Sequence, residues 1–143
     1  MKVRIQWLDA VAFRATTESG HTLTMDGAPE SGGCNLGPRP METVLAGTGG
    51  CTAYDVVAIL RKARQEVSEV LVDVDAERAS TDPKVFTRIH FHFTVKGRGV
   101  KPEAVERAIA LSAEKYCSAS IMLGKTAQLS HDFEIVEASP GGV

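Results

Sequence analysis

The sequence has few cysteines, few aromatic residues and no surplus of charge, and each shortage excludes a class of protein. Its 143 residues include three cysteines, too few and too widely spaced for a disulfide scaffold. The 16 lysines and arginines face 18 aspartates and glutamates. The chain therefore lacks the positive charge of a dedicated nucleic-acid binder, and we expect no nucleic-acid partner. The remaining composition, 43% hydrophobic and 24% charged, is that of one ordinary domain.

Long apolar segments are also missing. No uninterrupted apolar run approaches the roughly 20 residues that a membrane span requires. The opening residues, MKVRIQWLDA, alternate polar and apolar side chains, whereas a signal peptide has a continuous apolar region. We therefore expect a single domain over residues 1–143, located in the cytoplasm and not associated with a membrane.

Familiar metal and nucleotide motifs are absent as well. The sequence has no CxxC and no HExxH, and the glycines at positions 47, 49 and 50 do not fit GxGxxG or a phosphate-binding loop. His90 and His92 fall on the polar side of an alternating segment. That spacing can bind a metal, but it is more typical of a solvated or hydrogen-bonded sheet face. We expect neither a metal nor a cofactor.

Hydrophobic periodicity predicts strands and helices in an α+β order. A helix of about six turns is expected from Pro40 to the basic residues at 61–64, and a second helix from Pro102 through Cys117 towards Ile121. The loop that joins the N-terminal strands to the first helix, DGAPESGGCNLGPRP, is rich in glycine and proline. Strands are expected at residues 3–7, 11–15, 23–25, 70–77, 85–96 and 129–135, followed by a frayed tail at 139–143.

Cys51 is the first candidate for chemistry. It lies about ten residues into the predicted long helix and directly follows Gly49 and Gly50, where missing side chains leave room for a molecule to approach the sulfur. Ordinary packing of a buried cysteine is the open alternative. A free thiol is only about 3% ionised at pH 7, so a nucleophilic role requires a nearby cation or hydrogen-bond donor. Asp55, one helical turn later, would oppose ionisation unless it is paired.

The other two cysteines lie in different surroundings. Cys117 is predicted on the inner side of the second helix, where packing and chemistry are again both open. The two helical sulfurs can bond only if their Cα atoms lie within about 7 Å, which spacing in the sequence does not decide. Cys34 falls in the glycine-rich loop, and we interpret it as an exposed, incidental thiol.

Two segments carry a family resemblance: GPRPMETVLAGTGGCTAYDVVAILRKAR around Cys51 and AEKYCSASIML around Cys117. With the element order of residues 1–138, they resemble the OsmC/Ohr family of small thiol peroxidases, and most closely its less characterised OsmC-like branch. The resemblance implies an intertwined homodimer in which antiparallel sheets wrap around long central helices and both chains form each active site.

The resemblance also implies a reaction. Cys51 would attack an organic hydroperoxide and become a sulfenic acid, Cys117 would condense with it to a disulfide, and a dithiol reductant would reopen that bond. No metal or cofactor takes part. The physiological setting would be defence against oxidative or osmotic stress.

The family's better-known members use a strand arginine held by a glutamate at the start of the long helix. Here Met41 stands at the glutamate position and Glu42 follows it, a shift of about 100° around the helix. Arg14 is the nearest strand arginine, and Arg39 is a second candidate cation.

Two functions are therefore open at this point. The first is an organic hydroperoxide reductase with an apolar pocket. The second is a dimeric protein of the same fold that binds a small molecule or a partner, with Cys51 as a structural thiol. The residues expected to line the pocket of the first are Val44, Leu45, Ile121 and Met122.

Overall fold

Period-two patterning corresponds to strands in the computed structural model, which describes residues 1–139. The described strands are β1 (Val3–Asp9), β2 (Ala12–Thr17), β3 (Thr22–Met25), β4 (Glu66–Arg78), β5 (Phe86–Arg98) and β6 (Gln128–Glu137). The described α-helices are α1 (Pro40–Lys62), α2 (Pro102–Leu111) and α3 (Ser118–Leu123). This content confirms the α+β prediction. Residues 140–143, most of the predicted tail, lie outside the described residues.

Contacts group the chain into two units, a first unit Met1–Ala46 and a second unit that begins at Gly47. In the first unit the strands pair in the order β1-β2-β3, and both pairs are antiparallel, as the three predicted N-terminal strands require. Every residue of β1 is exposed. The single domain over residues 1–143 stays a prediction.

Asp26 organises the loop that follows β3. Its buried carboxylate accepts hydrogen bonds from the backbone N–H groups of Gly27 at 2.7 Å, Cys34 at 3.0 Å and Leu36 at 3.2 Å. Burial favours the neutral acid, but these hydrogen bonds and the positive charge of Arg39 outweigh it and hold the pKa of Asp26 below its usual value. The loop thus has a defined shape, and Cys34 is exposed, as predicted.

The second unit contains a sheet of order β4-β5-β6. β4 and β5 form the predicted antiparallel hairpin, whereas β6 runs parallel to β5. The expectation of purely antiparallel sheets therefore needs correction for this strand. The connection from β5 to β6 contains α2 and α3, and a crossover of that kind returns the chain to the same end of the sheet.

The buried face of β5 differs from the prediction at its start. Ile89, Phe91, Phe93 and Val95 are fully buried, as alternation predicts. Val85 and Thr87 were expected on the same face but are exposed, while Phe86 is buried. The pairing with β4 shifts register between Glu77 and Arg78, and such a bulge reverses the alternation of side chains.

Helix α1 begins and ends where the sequence predicts. Pro40 lies in its first turn with Glu42, and Arg61 and Lys62 lie in its last turn, so each charge complements the helix dipole. By length and composition α1 would suffice to cross a membrane, a property that the search for uninterrupted apolar runs missed. Core helices meet the same criterion. Val56 and Leu60 are completely buried within this chain.

The predicted second helix is interrupted, so Cys117 is not a helical residue. α2 ends at Leu111, residues Ser112–Tyr116 form a π-turn, and Cys117 is extended, with φ −78° and ψ 96°. The N–H of Cys117 donates to the carbonyl of Ser112 at 2.8 Å, which closes the wide turn. Single π-turns of this kind are frequent at functional sites.

Candidate dithiol site

α1 and the break before α3 bring two cysteines together. The sulfurs of Cys51 and Cys117 and a carboxylate oxygen of Asp55 all lie within 4.8 Å of one another. Cys117 is 0% exposed, whereas Cys51 and Asp55 are half-buried. Both thiols are free. A disulfide has an S–S distance of about 2.05 Å, so the two side chains need move by less than about 3 Å in total to form one.

A chain of buried hydroxyl groups holds the Asp55 carboxylate. The Ser112 hydroxyl donates to Asp55 Oδ2 at 3.0 Å and lies 2.9 Å from the Thr52 hydroxyl oxygen. Because a hydroxyl carries a single proton, Thr52 donates to Ser112 when Ser112 donates to Asp55. Both hydroxyl-bearing residues are buried. The carboxylate that would oppose ionisation of Cys51 is therefore paired, but with a neutral donor.

Cys117 acts as the N-cap of α3. Its sulfur accepts hydrogen bonds from the Ser120 backbone N–H at 3.4 Å and from the Ser120 hydroxyl at 3.1 Å. Burial raises the pKa of the Cys117 thiol above its usual value; the Ser120 donors act against this, and the neighbouring Cys51 sulfur adds to it. The Cys117 thiol consequently keeps its proton at neutral pH.

The second unit places no positively charged partner on the Asp55 carboxylate. Among residues 47–139, no lysine, arginine or histidine nitrogen lies within 4.0 Å of the Asp55 carboxylate. The donors that the described part of the second unit directs at Asp55 and Cys117 are neutral: the Ser112 and Ser120 hydroxyl groups and the Ser120 backbone amide.

The candidate arginines and glutamate belong to the first unit. Arg14 is exposed on β2, and no ion pair joins it to Glu42 anywhere in residues 1–139. Glu42 accepts a hydrogen bond from the backbone N–H of Arg39 at 2.9 Å and so caps the start of α1. The Arg39 guanidinium donates to Asn35 Oδ1 at 2.7 Å. Glu42 and Arg39 therefore have local roles at the beginning of the helix.

The four residues predicted to line an apolar pocket are divided between the two units. Val44 and Leu45 lie on α1 in the first unit, and Ile121 and Met122 lie on α3 in the second. Met122 is 67% exposed. The pocket itself stays a prediction.

His90 and His92 form a hydrogen-bonded sheet face, which confirms the interpretation made from their spacing. His90 contacts Ser130 at 2.7 Å and Asp132 at 2.9 Å, and His92 contacts Asp132 at 2.8 Å and Glu134 at 3.4 Å. Hydrogen bonds that Asp132 and then Glu134 accept raise the pKa of His92. Hydrogen bonds that His92 and then His90 donate lower the pKa of Asp132.

Sequence reasoning missed the hydroxyl groups around the thiols. Thr52, Ser112 and Ser120 look like ordinary helix residues when one continuous second helix is assumed. One signal was available for Ser120, because it stands three residues after Cys117, where an N-cap residue finds its N–H partner. No local signal pairs Ser112 with Asp55, which lies far away in the sequence.

Fold and site together define a class: an α+β protein in which a long helix and a helix break hold two free thiols side by side. A family model described as OsmC-like protein matches residues 32–132, and the chain belongs to this family. The resemblance stated from the sequence is thereby confirmed.

Relatives and solved structures agree with this assignment. The chain is 46% identical to Protein YhfA of Escherichia coli (strain K12) over 138 residues, which is 96% of this chain and 100% of that protein. A hypothetical protein from Aquifex aeolicus VF5 is 29% identical, with a TM-score of 0.85 over 96% of this chain and 97% of that chain. The organic hydroperoxide resistance protein OhrB of Bacillus subtilis is 16% identical, with a TM-score of 0.61 over 94% and 98% of the two chains, and shares the fold.

Proposed function

We propose that the protein is a thiol-dependent peroxidase that reduces organic hydroperoxides to alcohols in the cytoplasm, as part of oxidative or osmotic stress defence. The observation that carries the proposal is the approach of the Cys51 and Cys117 sulfurs to within 4.8 Å. Membership in the OsmC-like family and structural similarity to an organic hydroperoxide resistance protein support it.

The difference in burial supports Cys51 as the residue that takes the first step. Its side chain is half-buried and accessible, whereas Cys117 is fully buried and keeps its proton. The Cys51 thiolate attacks the outer oxygen of the hydroperoxide, the O–O bond breaks, and the alkoxide leaves as an alcohol after taking up a proton. Cys51 is then a sulfenic acid.

The second step uses Cys117. Its sulfur attacks the sulfenic sulfur, the S–O bond breaks, and the hydroxide leaves as water with the proton from Cys117. A dithiol reductant restores both thiols by exchange and becomes a disulfide itself.

The remaining parts of the proposal concern the substrate. We propose that the first-unit residues Arg14 and Glu42 supply the arginine and the glutamate that the family's better-known members use. The four apolar residues of α1 and α3 named above would line a pocket that accepts alkyl chains, so alkyl hydroperoxides should react better than hydrogen peroxide.

We further propose that the protein is a homodimer. Three apolar residues of β1 are strongly exposed in the single chain: Val3 by 55%, Ile5 by 54% and Trp7 by 66%. On α1, Tyr54 is 77% exposed. Large apolar side chains this exposed often belong to an interface, and a second copy of the chain would cover them.

Thiol titration tests the peroxidase proposal. Reduced protein is mixed with cumene hydroperoxide, and free thiols and cumyl alcohol are counted. We expect two thiols lost and one alcohol formed per protein in the first turnover, and no alcohol from Cys51→Ser. Cys34→Ser is the matched control and should behave like the unchanged protein. Equal turnover by Cys51→Ser would contradict the proposal.

A second candidate function is a binding protein of the same fold in which Cys51 is structural. It is favoured by the acidic neighbour Asp55 and by the absence of an ion pair between Arg14 and Glu42 within residues 1–139. It requires that Cys51 react with neither a hydroperoxide nor iodoacetamide at pH 7.

A further inference from the structure

We infer that the reduced protein binds a thiophilic divalent cation, of the Zn²⁺ type, through Cys51, Asp55 and Cys117. The three donor atoms lie within 4.8 Å of one another. In a tetrahedral zinc site with Zn–S of about 2.3 Å and Zn–O of about 2.1 Å, neighbouring donor atoms are about 3.6 to 3.8 Å apart. Small side-chain movements, with no change in α1, would therefore close these donors around an ion.

The donor set has the chemistry that zinc prefers. Two cysteine sulfurs and one carboxylate oxygen are common zinc ligands, whereas the sulfurs disfavour Mg²⁺ and Ca²⁺. Three protein ligands leave the fourth position for water or an added thiol. The motif search on the sequence did not predict the site because its third ligand, Cys117, comes from a distant segment.

Outer groups orient two of the three ligands, as they do in established metal sites. Ser112 donates to Asp55 Oδ2, and Ser120 donates to the Cys117 sulfur from both its N–H and its hydroxyl. These donors stabilise negative charge on the ligand atoms. They would remain in place when the thiols lose their protons to a metal ion.

Charge also favours a cation at this position. Within residues 47–139, no lysine, arginine or histidine nitrogen lies within 4.0 Å of the Asp55 carboxylate. A divalent ion would supply positive charge beside the Asp55 carboxylate. The half-buried Cys51 offers a route of entry. Apart from the backbone of α1 itself, a Cβ built on Gly47 or Gly50, its neighbours on α1, would meet no atom of residues 47–139 within 4 Å.

Metal binding does not depend on the proposed peroxidase function. It would engage both thiols and so protect them from oxidation. Conversely, a Cys51–Cys117 disulfide would remove two of the three ligands, so the oxidised protein should lose the ion.

The test uses the reduced, full-length protein after removal of metals with a chelator. Cd²⁺ is titrated while the sulfur-to-cadmium charge-transfer absorption is followed, and Zn²⁺ affinity is measured by competition with a chromophoric chelator. We expect one equivalent to bind, no binding to the disulfide form, and at least a tenfold weaker Zn²⁺ affinity for Asp55→Asn and for Ser120→Ala. Cys51→Ser should lose the stoichiometric site.

Cys34→Ser is the matched control and should bind like the unchanged protein, because Cys34 is exposed in the first unit. Circular dichroism of each variant verifies its fold. Absence of stoichiometric binding by the reduced protein would overturn the inference. So would a Zn²⁺ affinity in Cys51→Ser or Asp55→Asn equal to that of the unchanged protein. Hydroperoxide turnover by the chelator-treated protein is scored separately, so failure of the metal site and failure of the peroxidase proposal are distinguishable.

Discussion

The glycines of α1 provide a test of whether a second protomer packs against this helix. Glycine costs about 1 kcal/mol relative to alanine inside a helix. In the described part of the second unit, a Cβ built on Gly47 or on Gly50 would meet no atom within 4 Å other than the backbone of α1 itself. If these positions face water, Gly47→Ala and Gly50→Ala should each raise the free energy of unfolding by about 1 kcal/mol.

In the proposed dimer, the same alanine substitutions should lower stability and not raise it. If a partner helix approaches α1 at Gly47 and Gly50, the added methyl groups push the protomers apart, and each alanine lowers the stability of the dimer. Gly49→Ala is the internal control. Its Cβ would lie 3.2 Å from Val74 Cγ2 in the same unit, a contact that offsets the gain in helix propensity. We expect a small effect there that does not vary with protein concentration.

Urea unfolding followed by circular dichroism, at protein concentrations that span two decades, separates the cases. For the dimer we expect midpoints that rise with concentration, and a lower midpoint for Gly47→Ala and Gly50→Ala. Light scattering after size exclusion reports the mass directly. A rise in Tm of about 2 to 4 °C per alanine, independent of concentration, would refute packing of a partner at these glycines.

Three further predictions concern single side chains. Cys117→Ala removes the acceptor of the buried Ser120 hydroxyl and should cost about 1–3 kcal/mol in urea unfolding, whereas Cys117→Ser should cost less. The pKa of His92 is raised in the folded protein, so its pairing with Asp132 stabilises the fold fully below the ordinary histidine pKa of about 6.5. This stabilisation is lost as pH rises through the raised pKa. His92→Gln should therefore flatten the dependence of Tm on pH above 6.5. The pKa of Asp26 is lowered in the folded protein, so its contribution to stability is present above about pH 4 and is lost as pH falls through the lowered pKa. Asp26→Asn should therefore lower Tm at pH 7 and make Tm less sensitive to acid.

Local pattern was sufficient for the strands and for α1. Alternation places β4 and β5 correctly, and Pro40 with the terminal charges marks both ends of the long helix. Two features depend on tertiary contacts that no local pattern records. The first is the register shift at Glu77 and Arg78, which puts Phe86 on the buried face in place of its neighbours. The second is the crossover, which makes β6 parallel to β5.

The candidate site divides in the same way. Cys51, Asp55 and Cys117 stood out because their chemistry is rare and their sequence contexts are specific. The hydroxyl groups of Ser112 and Ser120 did not stand out, because helical periodicity runs unchanged across a segment that the structure folds as a π-turn. Their role follows from hydrogen bonds with partners that only the folded chain supplies.

One atom, the Cys117 sulfur, has two tasks that compete. It receives both Ser120 donors at the first turn of α3, a helix of only six residues. A disulfide sulfur is a weaker hydrogen-bond acceptor than a thiol or thiolate sulfur. The first turn of the short helix would therefore fray when the pair is oxidised. Hydrogen exchange of the backbone amides near Ser120 would then be faster in the oxidised protein and would report the redox state of the buried pair.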